Sequence, residues 1–249
     1  MVQQQIVEAT HRQSPPAGKM SYEEFLAWAD EDTLAEWVDG EIIMVSPASD
    51  RHQDLVDFLT AVLRLYVASH DLGWVRSAPF QMKTGPDLPG REPDVLFLRK
   101  EHLNRLERTY LDGPADLVVE IVSPESVGRD RGEKFYEYEA GGVLEYWLID
   151  PQRAWAECYH LEGDRYRVAF EGQDGEYRAR VLPDFWLRVG WLWQAPLPAV
   201  EDVLLEVGGA AYAERLIERL RKHGFLPAAE EPGGQGAGEP GSQGAGVQG

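Results

Sequence analysis

Apolar residues recur along this chain with two periods. Leu55, Phe58, Leu59, Val62, Leu65 and Tyr66 fall three and four apart, the spacing of one helix face, and predict a helix through HQDLVDFLTAVLRLYVASH that Ser49 or Asp50 can cap. Short apolar runs bounded by turn residues predict strands at GWVRSAPFQMKT, PDVLFLRK, ADLVVEIVSP and EYWLID. Ser21 with Glu24 three positions on is a capping box, and starts a short helix in SYEEFLAWAD. In EWVDGEIIMVSP the Asp39-Gly40 pair divides two apolar stretches, the mark of a hairpin. EHLNRLERTYLDGP reads as a short helix or loop, and RGEKFYEYEAGG as a helix that stops at Gly141-Gly142. AWAECYHLEGDRYRVAFE and GEYRARVLPD read as β-hairpins. Residues 209–223 read as an amphipathic helix with bases at its C-terminal end. This order predicts an α/β chain, a mixed β-sheet flanked by helices in one domain.

Within that pattern two acids stand out. Glu120 sits in DLVVEIVSP among Leu117, Val118, Val119, Ile121 and Val122. A buried, unpaired carboxylate costs several kcal/mol, so either a cation lies beside Glu120 or the strand is less buried than its neighbours suggest. Asp94 opens the strand PDVLFL in the same way. If the two strands are adjacent, the carboxylates converge, and a proton or a metal must relieve their repulsion. Hard oxygen ligands of this kind suit Mg²⁺, which takes one or two carboxylates with water and phosphate completing its shell.

Lys134 lies on the following helix, four residues before Tyr138 and on the same face. It is either a solvated helix lysine or a cation reaching back over the strand end. Two strand acids and a nearby lysine form the pattern of a metal-dependent phosphodiesterase, the acids holding the ion and the lysine adding positive charge at the phosphate. His52, in the first turn of the long helix, is a further candidate for the site, against a structural or surface role. Glu41, after the DG turn, is either an added acid or an exposed hairpin residue, and Gln81 is a candidate hydrogen-bond partner near Asp94.

Composition narrows the classes. The chain has 249 residues, 43% hydrophobic and 27% charged, ordinary for a globular protein, with a net charge of −19 that opposes general coating of DNA or anionic membranes. A nuclease with a small local cleft and a bound cation survives that argument. The single cysteine, Cys158, excludes an internal disulfide and fits a cytoplasmic setting, where it reads as a small core residue. No signal peptide and no apolar run long enough for a membrane span is visible. GxxxxGK[ST], a GxGxxG after a strand, paired CxxC, HExxH and GxSxG are all absent.

Taken in order, EWVDGEII, the helix beginning at His52, EPDVLFL, LVVEIVSP, the K-F-Y-E-Y helix and GVLEYWLIDP resemble the Uma-two family of restriction endonucleases, part of the PD-(D/E)xK, restriction-endonuclease-like superfamily. The resemblance covers roughly residues 20–195. It implies a restriction-endonuclease-like mixed sheet of four or five strands flanked by helices, followed by extra C-terminal β-hairpins. It places the family's PD on Pro93-Asp94 and its acidic half on Glu120. The superfamily lysine would fall at position 122, which is Val122 here, so the resemblance makes Lys134 the stand-in.

The expected organisation is a flexible arm at 1–19, the nuclease-like domain at 20–195, a helical extension at 196–226 and a Gly-rich tail at 227–249 whose GGQGAG/GSQGAG near-repeat predicts disorder. The expected function is Mg²⁺- or Mn²⁺-dependent cleavage of DNA in the cytoplasm. Asp94 and Glu120 would be metal ligands and Lys134 and His52 catalytic, in a homodimer paired through a sheet edge or the Trp-rich 186–193 segment. The alternative from another class is a nuclease-fold protein that binds or assembles without cutting.

Overall fold

Asp39 and Gly40 both adopt positive φ, 50° and 87°, the conformation a two-residue hairpin turn demands and a reason for glycine at the second position. In this computed structural model, which describes residue 16 and residues 18–29, 33–44 and 49–227, that turn joins β1 (Ala35–Val38) to β2 (Glu41–Met44). Most of the expected arm, and the Gly-rich tail from 228, lie outside the described residues. Before the hairpin, α1 (Tyr22–Trp28) carries the capping box. Ser21 Oγ accepts from the Glu24 amide, and the Ser21 amide donates to Glu24 Oε2 at 2.8 Å. After it, α2 (Asp50–His70) is capped by Ser49, whose side chain accepts from the His52 amide.

The expected strand over 73–84 breaks in two. β3 (Gly73–Ser77) and β4 (Gln81–Lys83) flank a cis peptide between Ala78 and Pro79 and belong to different sheets. There follow β5 (Gly90–Arg91), β6 (Val95–Arg99), a 3-10 turn, β7 (Tyr110–Asp112) and β8 (Leu117–Ile121). A π-helical turn at Arg129–Glu133 leads into α3 (Lys134–Gly141), which ends on Gly142 in the left-handed region, where glycine carries no steric cost. The remaining strands are β9 (Glu145–Asp150), β10 (Trp155–Glu162), β11 (Arg165–Gly172), β12 (Glu176–Arg178) and β13 (Trp186–Arg188). The last helix, α4 (Val200–Lys222), begins nine residues before the expected 209 and is interrupted there, Gly209 having φ 53° and ψ −147°.

The main sheet has six strands in the order β11-β10-β9-β8-β6-β3, parallel between β8 and β9 and antiparallel elsewhere. The expectation of four or five strands is therefore low. The hairpin β10-β11, expected as an extra, continues this sheet. A smaller sheet, β2-β1-β5-β4-β7, packs against α1, and β12 and β13 form a separate ribbon.

Alternation along the central strands divides two cores. Val95, Phe97, Leu117, Val119, Ile121, Trp147 and Ile149 face α2 through Leu55, Leu59 and Val62. Leu96, Leu98, Val118, Val122, Tyr146 and Leu148 face the other way, with Tyr138 of α3. A strand apolar on both faces belongs at the centre of a covered sheet, and β8 is buried throughout. Cys158 is buried in the first core. No helix among the described residues is long and apolar enough to cross a membrane.

Leu63 is fully buried between α2 and the sheet. Leu63→Ala should lower unfolding stability by about 2–5 kcal/mol through lost contacts and a residual cavity. Urea denaturation with an unchanged slope would confirm it, whereas a loss below about 1 kcal/mol would mean this core collapses freely.

Candidate active site

β6 and β8 pair with Val95 opposite Val119 and Leu96 opposite Val118. One step further along that register, Asp94 stands opposite Glu120, so two acids from successive strand segments meet at the same end of the sheet. The alternative of a partly exposed Glu120 fails, since the residue is only 2% exposed. It is paired, but not with an arginine. Lys134 Nζ lies 3.0 Å from Glu120 Oε1, and the Tyr138 hydroxyl donates to the same oxygen at 2.7 Å. Lys134 and Tyr138 are one helical turn apart, so α3 offers both from one face. Lys134 is buried, which removes the reading of a solvated helix lysine.

Asp94 is held differently. Its Oδ2 accepts from the Ile121 amide at 2.7 Å and lies 3.2 Å from His52 Nε2. His52 thus belongs to the site rather than to the surface, and its Nδ1 is buried without a hydrogen-bond partner. Burial pulls the His52 imidazole down, but the bond and charge of Asp94 outweigh it and leave its pKa raised. Glu41 is exposed at the hairpin end and takes no part. Gln81 donates to Glu92 Oε1 at 2.8 Å and to the Ala35 carbonyl at 2.7 Å, not to Asp94 as expected.

Two further acids complete the cluster. Glu36 Oε1 on β1 lies 3.3 Å from Lys134 Nζ, and Asp130 Oδ1 in the π-turn lies 3.4 Å from it with no hydrogen bond of its own. The signal that exposed Glu120 was present for Glu36 too, an acid between Ala35 and Trp37 in a predicted strand. Asp130 precedes Lys134 by four residues, the spacing that linked Lys134 to Tyr138. Behind Glu36 lies Arg91, 1% exposed. Its NH1 donates to Glu36 Oε2 at 3.0 Å, while its Nε and NH2 grip Glu137 of α3 in two bonds of 2.7 Å. Nothing in the turn-rich GPDLPGRE marks this arginine in advance.

Four carboxylates therefore surround one ammonium. Burial would strip the Lys134 proton, but the charges of Glu120, Glu36, Asp130 and Asp94 outweigh it and hold its pKa well above the ordinary value. Burial pushes Glu120 up, Lys134 pulls it back, and Asp130 and Asp94 add to the rise, leaving it at about 8. Glu36 is lowered, because Lys134 and Arg91 overcome its burial. The acids outnumber their cation, and the surplus charge lies on the wall of a cavity of about 550 Å³ lined by Glu36, His52, Asp94, Glu120, Asp130 and Lys134, among others.

Among the described residues no three His, Cys, Asp or Glu side chains form a ready metal cluster. Magnesium needs fewer, one or two carboxylates with water and phosphate, and the all-oxygen donor set with an unbonded Asp130 Oδ1 fits a hard dication.

A covered mixed sheet with helices on both faces and an acidic cavity at one end defines an α/β protein of the nuclease-like fold class. The chain belongs to the Uma2 family, whose model, described as "Putative restriction endonuclease", matches residues 22–190. It is similar to a crystal structure of "a putative nuclease belonging to DUF820" from Anabaena variabilis, with a TM-score of 0.59 and 18% identity over 70% of this chain and 97% of that one, a likeness of fold. It is also 26% identical over 156 residues to an uncharacterized protein of Synechocystis sp., covering 62% of this chain and 80% of that protein.

Arg91→Met should cost about 3–5 kcal/mol in chemical denaturation, because it removes the arginine that pairs with buried Glu36 and half-buried Glu137. A cost under about 1 kcal/mol would show that the carboxylates are not held by Arg91. Glu92 supplies a pH test. Burial, above all, raises its pKa from 4.5 to about 7. Folding thus favours its protonated form, and this contribution to stability is present at low pH and drains away between about pH 4.5 and 7. In chelator, Glu92→Gln should melt increasingly above wild type across that window. Parallel melting curves would remove the assignment.

Proposed function

We propose that the protein is an endonuclease that hydrolyses DNA phosphodiester bonds with a metal-activated water, Asp94 and Glu120 holding Mg²⁺ or Mn²⁺. The observation that supports this best is the cross-strand acid pair at one cavity wall, with a buried ammonium 3.0 Å from one member. When bound, the ion would supply Lewis acidity to the phosphate and lower the pKa of a bound water.

The chain's own residues supply the rest. Tyr138 and Lys134 fix Glu120 Oε1, leaving Oε2 outside both bonds. The Ile121 amide and His52 fix Asp94 Oδ2. Held as an ammonium, Lys134 suits electrostatic help beside a phosphate that gains negative charge on its way to five-coordination, not general-base work. His52, joined to Asp94 Oδ2 through Nε2, orients that carboxylate, and the attacking water releases its proton to solvent in the cavity. A new P–O bond then forms from that water, the P–O bond to the leaving sugar oxygen breaks, and a proton finishes on the leaving oxygen.

One observation favours the second reading, a nuclease-fold protein that binds without cutting. Lys134 occupies the middle of the acids, so the cluster is partly satisfied without any ion. Calorimetric titration of Mg²⁺ and Mn²⁺ into wild type and Glu120→Gln separates the two, alongside plasmid cleavage. The catalytic reading expects a saturable isotherm and plasmid nicking or linearisation in wild type, both lost in Glu120→Gln although it stays folded. Lys134→Ala should cut about 10²–10³-fold more slowly. A flat isotherm in both proteins, with plasmid intact, would leave the binding reading standing.

A further inference from the structure

We propose that Trp74 and Arg76 on the edge strand β3, with Arg64 on α2, form a contact site for a DNA strand, seating a phosphate on the guanidinium groups and an unpaired base on the indole. This rests on the nuclease reading above and names surface that lies outside the acidic cavity.

Three observations converge. The first is placement. β3 is the outer strand of the main sheet, with β6 as its single neighbour. Arg76 pairs with Leu96, and the Ala78 amide bonds to the Asp94 carbonyl, so alternation puts Arg76 on the same sheet face as Asp94 and Glu120. Ser77, Ala78 and Pro79 form part of the cavity wall. Arg76 is two residues from Ala78, about 7 Å along the strand, so the patch adjoins the cavity wall. A strand with one phosphate in the cavity passes this patch.

The second is charge. The chain carries 43 acidic and 24 basic residues. Most cations near the site are spoken for, as Arg91, Arg131 and Lys134 show. Arg64 and Arg76 make no ion pair among the described residues, and the Arg76 guanidinium donates only to the Val75 carbonyl at 3.1 Å. Burial, and then the nearby Arg64 charge, lower the Arg76 pKa. Two like charges near enough to feel each other are unfavourable alone and favourable around a phosphate.

The third is the aromatic. Trp74 is 49% exposed, unlike most of the chain's tryptophans, and the Arg76 guanidinium sits 4.5 Å from its ring centroid. An exposed aromatic beside unpaired arginine is the composition of a strand-binding surface. The plain alternative is that charge and bulk on an edge strand deter sheet-to-sheet aggregation.

Fluorescence anisotropy with the full chain and a short labelled single-stranded oligodeoxynucleotide, Ca²⁺ replacing Mg²⁺ to prevent cutting, tests the assignment. Trp74→Ala should weaken binding about tenfold and Trp74→Phe should keep most of the affinity, since stacking needs a ring and not an indole. Arg76→Gln should weaken binding and flatten the salt dependence by about 0.7 in log–log slope, the share of one phosphate. Metal titration and melting temperature should stay as in wild type for all three variants. Wild-type affinity and slope in Trp74→Ala and Arg76→Gln would overturn the site while leaving the nuclease reading intact. An oligonucleotide ignored by wild type would overturn the site, with plasmid cleavage reporting separately on the cavity. Loss of binding in the variants, with no plasmid cleavage by wild type, would keep the site and remove the catalytic reading.

Discussion

The ion pair between Lys134 and Glu120 is the constraint to which the rest of the site answers. β8 is covered on both faces, so its one acid is nearly shut off from bulk water, and a partner comes from the element packed over it. That fixes where α3 crosses the sheet, which residues face inward, and why Tyr138 follows Lys134 by one turn. The pair is not explained by stability. At 3.0 Å and an effective dielectric near 20 the attraction is about 5 kcal/mol. Desolvation takes back several kcal/mol per ion, and apolar residues of like volume would hold α3 to β8 about as well. What they would not do is keep charge on the wall of a cavity.

The charges beyond that pair are not balanced locally. Glu36 and Asp130 come within 3.3 and 3.4 Å of an ammonium that already serves Glu120. Arg91 relieves Glu36 from behind, and its two hydrogen bonds to Glu137 tie β5 to α3, so the smaller sheet is fastened to the larger by the same electrostatics that shapes the site. Among the described residues Asp130 and Glu120 pair with Lys134 and with no arginine. A site in which carboxylates outnumber cations, and one carboxyl rises to about 8, stores a preference for added positive charge. That preference is the physical content of the metal proposal.

Much of this was legible beforehand, and the reasons differ by residue. Asp94 and Glu120 announced themselves because an acid inside an apolar strand is costly unless compensated, and the register of β6 against β8 then brought them together. Lys134 and Tyr138 were readable as a pair by helical spacing. Glu36 and Asp130 obeyed the same two rules and were passed over. Arg91 could not be found this way, because its role depends on β5 pairing with β1 and β4, contacts distant in sequence within a two-residue strand in a loop-like stretch. The split of the predicted strand at Ala78-Pro79 was hidden for a related reason. Local propensity supports extended chain on both sides, and only the tertiary arrangement sends the halves to different sheets.

A net charge of −19 would oppose a nuclease if charge acted at a distance. At physiological ionic strength it does not, since exposed charges more than about 8 Å apart are largely screened. What a phosphate meets on approach is the local array. That array runs from Arg64 on α2 and Arg76 on β3, which make no ion pair among the described residues, to the cavity where Glu120, Glu36 and Asp130 hold Lys134 among them. Arginine charge thus lies beside the cavity, and within its lining carboxylates outnumber Lys134 and Arg129. On the nuclease proposal, a polyanion is drawn to the first and repelled by the second until a divalent cation intervenes. On this arrangement the acidic surface elsewhere discourages indiscriminate DNA binding, while the two arginines and the surplus carboxylates set where a strand can rest and what must accompany it.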